Sequence, residues 1–391
     1  MVSYFIDFAQ CSMNKYQEEL CGDHVEMVRT PEGMIVVLSD GLGSGVKANI
    51  LATLTSKIAI TMLKEGASIE ETICTIASTL PECQVRKLAY STFTIVKIKN
   101  NGEVYMVEYD NPAAFYYRKN TPYILSKERR MINHKVIYES NFTMQEEDTL
   151  VMVSDGVIHA GVGKTLNLGW QWQHVDQYLQ DLVVVEQNAL EVVRSLIGVC
   201  DNLYDSQPGD DTTVVAIKLK KITFLDLFTG PPKHQQDDEQ MIKRIKEAKG
   251  KVVLCGGTTA NIVAKALNEP IQIDLEHYTK KVPPMGYMKG IDLVTEGLLT
   301  LNATKELLEN YLHQKQAGQC SQKIEGQDGA SQLARLLIEE STWITCWVGQ
   351  AINPAHQNPD FPENFNLKNT VIDQIVHLLR AMHKEVEVHY V

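Results

Sequence analysis

The chain has 391 residues, more than one hydrophobic core usually organises, which points to two domains and excludes a single small binding module. With 44% hydrophobic and 22% charged residues it has enough apolar surface to offset the entropy of ordering, which excludes wholesale disorder. Thirty-seven basic against 49 acidic side chains leave a formal net charge of -12, an excess that repels phosphate backbones and anionic bilayers, so neither nucleic acid nor membrane is an expected partner.

The opening MVSYFIDFAQ has no basic leader region, and no run approaches the roughly 20 consecutive apolar residues of a membrane helix, so a cytoplasmic protein is expected. Strand-like runs rich in β-branched and aromatic residues follow: SYFIDFA, HVEMVRT, MIVVLS, STFTIVKI, EVYMVEY, AAFYY, TLVMVS and TTVVAIKL. Helix-like stretches cover 44–65 and 188–204. Runs of strands with helices in blocks predict an α+β fold, antiparallel sheets flanked by helices. At GPPKHQQDDEQ, 230–240, apolar residues vanish, and the predicted organisation is a domain over 1–225, a linker over 226–240 and a smaller α/β domain over 241–391. That second domain alternates: KVVLCGG, a helix from TTANIVAKAL, IQIDL, IDLVTEG, helices over 304–315 and 329–340, WITCWVG, a Pro/Asn-rich loop over 351–365 suited to a lid or dimer clasp, a helix over 367–384 and VEVHYV. Eight cysteines without a C-x-x-C pair read as buried free thiols.

Four aspartates share one context, the end of a strand-like run with glycine beside it: Asp23 in CGDHVEMV, Asp40 in IVVLSDGLGSG, Asp155 in LVMVSDGVIHAG and Asp210 in PGDDTTVVAIK. Any one of them alone reads most simply as a turn. Together they project carboxylates from sheet ends, with glycine allowing tight turns and close approach to a ligand. Converging carboxylates stay ionised only around positive charge, and without a His or Cys cluster nearby the fitting cations are hard ones, Mg²⁺ or Mn²⁺.

Gly22-Asp23, SDGLGSG before a long helix, SDGV and GDDTTVV resemble the motifs of the metal-dependent type 2C serine/threonine phosphatases, nearest to the stage II sporulation protein E branch, over residues 1–221. The resemblance implies an antiparallel β-sandwich flanked by helices with two Mn²⁺ or Mg²⁺ ions at one sheet edge. It implies that Asp40 bridges both ions, that the Gly41 carbonyl touches one, that Asp23, Asp155 and Asp210 complete the ligands, and that Asp211 stands behind them. The implied reaction is hydrolysis of phosphoserine or phosphothreonine by a hydroxide bridging the metals. A phosphoprotein is the implied substrate, an anti-sigma-factor antagonist in bacterial signalling being the family-level expectation. Arg29 is a candidate phosphate holder by position only, and Lys164 a candidate contact to the phosphoprotein. The rival reading is a pseudophosphatase scaffold or sensor signalling through the second domain.

Two other motifs fail on spacing. G-x-G-x-x-G from Gly41 needs glycine where Val46 stands, and a P-loop ending at 163–165 needs glycine at Ile158. In the second domain, Gly256, Gly257, Thr258 and Thr259 form a strand-to-helix turn whose amides suit a small anionic ligand, and the domain is expected to regulate the first. Asp274, Asp292 and Glu296 fit either ligand contact or turns. A homodimer through the long helix or the second domain is a further expectation.

Overall fold

The computed structural model describes residues 4–79, 91–133, 135–185, 188–316, 324–351, 363–382 and 384–391. The chain divides into two compact units, one ending at Lys221 and the other beginning at Ile222.

The first unit holds β1 (Phe5–Met13), β2 (Asp23–Thr30), β3 (Gly33–Gly41), α1 (Gly45–Lys64), α2 (Ile69–Thr79), β4 (Ser91–Lys99), β5 (Glu103–Tyr109), β6 (Phe115–Arg118), β7 (Thr121–Pro122), β8 (Glu128–Ile132), β9 (Lys135–Thr143), β10 (Thr149–Val153), α3 (Asp155–Ile158), α4 (Trp172–Val185), α5 (Ala189–Leu203) and β11 (Thr212–Lys220). The strands form two antiparallel sheets, β1-β11-β10-β6-β7 and β2-β3-β4-β5-β9-β8. The reason is visible in β3. Its run Met34–Leu38 has no polar alternation because both faces are covered: Met34, Val36 and Leu38 join Ile6, Met106, Met152 and Ile217 in a core between the sheets, while Ile35 and Val37 pack outward on α1 and α2. The other sheet's outer face is sealed the same way by α4 and α5, through Val175, Leu179, Val192 and Leu196. The layers run helix, sheet, sheet, helix, as the α+β reading requires.

Of the helices in that expectation, α1 and α5 fall where the apolar spacing put them. Neither α2 nor α4 was foreseen. α2 opens on a reciprocal capping box, with the Ser68 amide donating to Glu71 Oε2 and the Glu71 amide to Ser68 Oγ. Among the described residues, α1 is the one helix long and apolar enough to cross a membrane by length and composition. It nevertheless buries Ala48, Leu51, Ala52, Thr55, Ser56, Ala59, Ile60 and Leu63 within the unit.

The second unit begins earlier than the composition suggests. β12 (Phe224–Thr229) lies inside the stretch expected to close the first domain and open the linker, yet it is an interior strand of a seven-stranded sheet. It pairs in parallel with β13 (Lys251–Cys255) on one side and β17 (Trp343–Val348) on the other. The break at 230–240 is therefore the crossover from β12 into α6 (Asp238–Glu247), and the boundary falls at 221/222. The cause is burial: Leu225, Leu227 and Phe228 are at most 1% exposed, and an interior strand so covered cannot belong to a linker. The remaining elements are α7 (Gly257–Leu267), β14 (Gln272–Ile273), β15 (Gly286–Met288), β16 (Ile291–Thr295), α8 (Leu298–Gln316), α9 (Gly329–Arg335) with a π turn over Leu336–Glu340, α10 (Glu363–Ala381) and β18 (Glu385–Tyr390). Strands β16-β13-β12-β17-β18 are parallel, with β15 and β14 added antiparallel at the β16 edge. In order of appearance the parallel strands stand 3-2-1-4-5, a doubly wound arrangement. α6 and α7 cover one face through Met241, Ile245, Ala260 and Val263, and α8, α9 and α10 cover the other through Leu301, Leu333 and Ile375. The six described cysteines are all free, four of them buried.

Candidate active site

Antiparallel register puts the first two carboxylates together. Asp23 opens β2 directly opposite Asp40 near the end of β3, and side chains so paired start about 5 Å apart on one face. The other sheet delivers the rest. Val153 of β10 pairs with Val214 of β11, so Asp155, just past β10, and Asp210 and Asp211, just before β11, meet at the same strand ends. The join is locked by backbone and hydroxyl bonds, Ser154 N to Thr213 O at 3.0 Å and Thr213 N to Ser154 Oγ at 2.9 Å. Asp40 is fixed by Ser91, whose Oγ donates to the Asp40 carbonyl at 2.8 Å.

The glycines beside these aspartates have a different task from the expected turns and ligand approach. None of Gly22, Gly41 and Gly156 has a positive φ. They are places where backbone meets backbone or carboxylate. A Cβ on Gly41 would lie 2.1 Å from the Ala48 carbonyl oxygen of α1, one on Gly156 2.1 Å from the Asp211 carbonyl oxygen, and one on Gly22 2.6 Å from Asp211 Oδ2. Glycine lets α1, α3 and the Asp211 loop close on the carboxylates, which draws the carboxylate-bearing ends together.

The electrostatics follow from that crowding. Burial first, then the charges of Asp23, Asp155, Asp210 and Asp211, push the Asp40 carboxyl up to about 9. Burial, with Asp211 and Asp155 adding to it, pushes Asp23 up to about 7. The Ser154 and Thr213 hydroxyls act the other way on Asp23, yet neither closes a hydrogen bond on it: both Asp23 oxygens are buried without a partner, and Thr213 Oγ1 donates to Ser12 Oγ. Asp155 is raised by burial and by Asp210, with nearby His159 opposing. Asp211 is raised by burial. Its Oδ1 accepts from the Lys15 amide at 3.0 Å while Oδ2 is buried without a partner.

A cleft of about 380 Å³ opens over this group, lined by Asp40, Gly41, Asp155, Asp210, Ser91 and Lys15 among others. Asp23 and Asp211 sit deeper, each 4% exposed. Among the described residues, no group of three or more His, Cys, Asp or Glu side chains is arranged to hold an ion by itself. The donor chemistry nevertheless fits hard divalent ions. All the groups are oxygens, several are buried and unpartnered, and small hard cations keep much of their water and take only one or two carboxylates each.

Two further sequence candidates do not line the cleft. Arg29 is six residues along β2 from Asp23, about 20 Å in an extended strand; its Nη2 donates to the Ile6 carbonyl and its guanidinium lies over the Phe5 ring. Lys164 donates to Gln207 Oε1 at 2.7 Å. Sequence reading missed Lys15, among the described residues the one cationic residue lining the cleft, because it sits in a polar loop with no periodic signal. In the second unit, Asp274 accepts from the Glu276 and His277 amides, Asp292 from the Val252 amide and Glu296 from the Leu299 amide, so Asp274 braces a turn, Asp292 ties β16 to the neighbouring strand β13, and Glu296 caps the start of α8. Most of the Pro/Asn-rich loop lies outside the described residues.

Residues 30–220, just under half of the chain, match the family model described as Stage II sporulation protein E (SpoIIE). With the sandwich and its acidic cleft, the match defines a PP2C-type serine/threonine phosphatase domain. Over those residues the chain is similar to the SpoIIE family. Solved structures similar in fold include the phosphatase domain of SpoIIE from Bacillus subtilis, 19% identical, covering 57% of this chain and 96% of that one with a TM-score of 0.43. The RsbU and RsbW domains of a Mycobacterium tuberculosis protein are 14% identical over 63% of this chain and 68% of that one, TM-score 0.47. RsbX in complex with magnesium is 16% identical over 56% and 100%, TM-score 0.41. No curated protein matches the chain.

Proposed function

We propose that the first unit hydrolyses phosphoserine and phosphothreonine in a phosphoprotein, with Asp23, Asp40, the Gly41 carbonyl, Asp155 and Asp210 holding two Mn²⁺ or Mg²⁺ ions and Asp211 supporting them from behind. The observation that carries this reading is the convergence of five aspartates at one end of the sandwich, with buried oxygens that no protein group satisfies. Bound divalent ions would supply the positive charge that keeps these groups ionised and the Lewis acidity that makes water a nucleophile near neutral pH. The chain's own groups do the rest. Asp40 and Asp155 set the depth at which a phosphoryl group stops, and the Lys15 ammonium at the rim offsets the charge of the arriving phosphate. The open cleft admits a side chain displayed on a protein surface. The substrate expected for the family, an anti-sigma-factor antagonist, fits such a cleft, and the second unit is proposed to regulate turnover.

The direct test is hydrolysis of p-nitrophenyl phosphate and of a phosphoserine peptide by the full chain with millimolar Mn²⁺. Turnover that disappears in chelator is the expected result; no turnover with either substrate would leave the scaffold reading standing instead. Lys15→Ala is expected to raise KM for the phosphopeptide about tenfold with a smaller change in kcat, since a rim charge acts mainly on binding. An unchanged KM would remove Lys15 from the phosphate path.

A further inference from the structure

The carboxyl edge of the second unit's parallel sheet carries a feature that phosphatase chemistry does not use. α7 starts directly after β13, and its N-cap is Gly256, at φ 128°, so no side chain caps the helix. In the first turn, Thr259 is 0% exposed and its Oγ1 has no hydrogen-bond partner. A buried hydroxyl left without a partner is costly, and such groups normally face a ligand or an ordered water.

Glycine backbone lies beside the hydroxyl. A Cβ on Gly256 would stand 3.8 Å from both Thr259 Oγ1 and the Gly230 amide nitrogen, and one on Gly297 would stand 3.6 Å from the Gly256 Cα. Glycines thus follow three neighbouring strands, β12, β13 and β16, beside the point where the strand order reverses between β12 and β17. Open α/β sheets bind ligands outside the carboxyl ends of their strands at such a reversal. Lys368 adds a cation: its Nζ donates to the Gly349 carbonyl at 2.6 Å and lies against Gly230. Helix amides, a hydroxyl and an ammonium around bare backbone match the several acceptor oxygens of a phosphate.

Gly230 also borders a second space, a cavity of about 190 Å³ lined by Phe228, Arg244 and Trp347. The Trp347 ring stacks on His389 at 4.4 Å and on Phe228 at 6.0 Å, with the Arg244 guanidinium 4.1 Å from its centroid. Flat aromatic and guanidinium surfaces suit a heterocycle. We propose that this edge binds a phosphorylated ligand of the nucleotide class, its phosphate on the start of α7 and the Thr259 hydroxyl, its ring against Trp347 and Arg244.

Calorimetric titration of the full chain in EDTA keeps phosphate from being drawn to the aspartate cleft by metal. The probes are inorganic phosphate and a panel of adenine and guanine mono-, di- and triphosphates. At least one nucleotide is expected to bind more tightly than inorganic phosphate. Thr259→Val, which keeps the side chain's shape, should weaken both about tenfold, whereas Trp347→Leu should weaken the nucleotide alone. Hydrolysis of p-nitrophenyl phosphate by Thr259→Val with Mn²⁺ should be unchanged, so failure here and failure of the phosphatase reading are told apart. No binding at millimolar concentration, or binding indifferent to Thr259→Val, overturns the site. Equal affinity for phosphate and every nucleotide, unmoved by Trp347→Leu, overturns the nucleotide assignment.

Discussion

Asp40→Asn is expected to abolish turnover and, in the same protein, to raise the melting temperature of the metal-free chain. The first effect follows from its proposed place between the two ions: losing the bridging charge should lower kcat by about 10³-fold or more. The second follows from the crowding around it. Burial and four neighbouring aspartates lift the Asp40 carboxyl to about 9, so removing the charge relieves repulsion worth on the order of 2 kcal/mol, or about 5 °C for a unit of this size. The sign with pH is definite. A carboxyl whose folded-state pKa is raised makes the folded chain bind more protons than the unfolded one, so metal-free stability should fall as pH rises from about 4 towards 9. Mn²⁺ should flatten that fall in the wild type by binding the folded state, and Asp40→Asn should flatten it without metal. Melting curves at pH 6 and pH 8.5, with EDTA and with Mn²⁺, check all of this. An Asp40→Asn protein that melts below the wild type in EDTA, or still gains the full stabilisation from Mn²⁺, would contradict the bridging assignment.

Gly41→Ala should be the most damaging of the small substitutions. The added methyl would lie 2.1 Å from the Ala48 carbonyl oxygen and 2.7 Å from its carbon, both backbone atoms of a buried turn of α1. The helix has to move off β3, at a cost of about 3 kcal/mol, which lowers the melting temperature by about 6–12 °C. Because Asp40 is the adjacent residue, metal affinity should drop with it. Gly43→Ala is the matched control: nothing lies within 4 Å of the added methyl, and only the φ of +104° is unfavourable, so the loss should be about 1 kcal/mol. Near-equal melting of the two variants would show that α1 is not held against β3 as described.

What was legible in the sequence was local. Each of Asp23, Asp40 and Asp155 lies at the end of an apolar run, and the alternation after residue 250 announced an α/β unit. α4 escaped because its closing Val183–Val185 run is strand-like in composition, although Val175, Leu179 and Val183 are spaced for one helix face and are buried. The edge strand β8 and its neighbour β9 escaped because charged residues such as Glu128 and Arg129 in β8 and Glu139 in β9 interrupt the apolar alternation. The boundary was misplaced because β11 and β12 are separated by three residues and read as one run, while in space they belong to different sheets.

The sequence by itself therefore determined the residue chemistry: four aspartates with glycine beside them at strand ends, and a glycine-threonine turn opening a helix in the second unit. Only the tertiary structure decided which of them meet. Asp23 stands opposite Asp40 because of the β2–β3 register, and Asp155 and Asp210 join them because two sheets pack face to face with those ends together. Gly230, Gly256 and Gly297 share an edge because the second sheet is ordered 3-2-1-4-5. Periodicity records which face of an element is buried. Register and strand order arise from contacts between segments far apart in the chain, and no local pattern carries them.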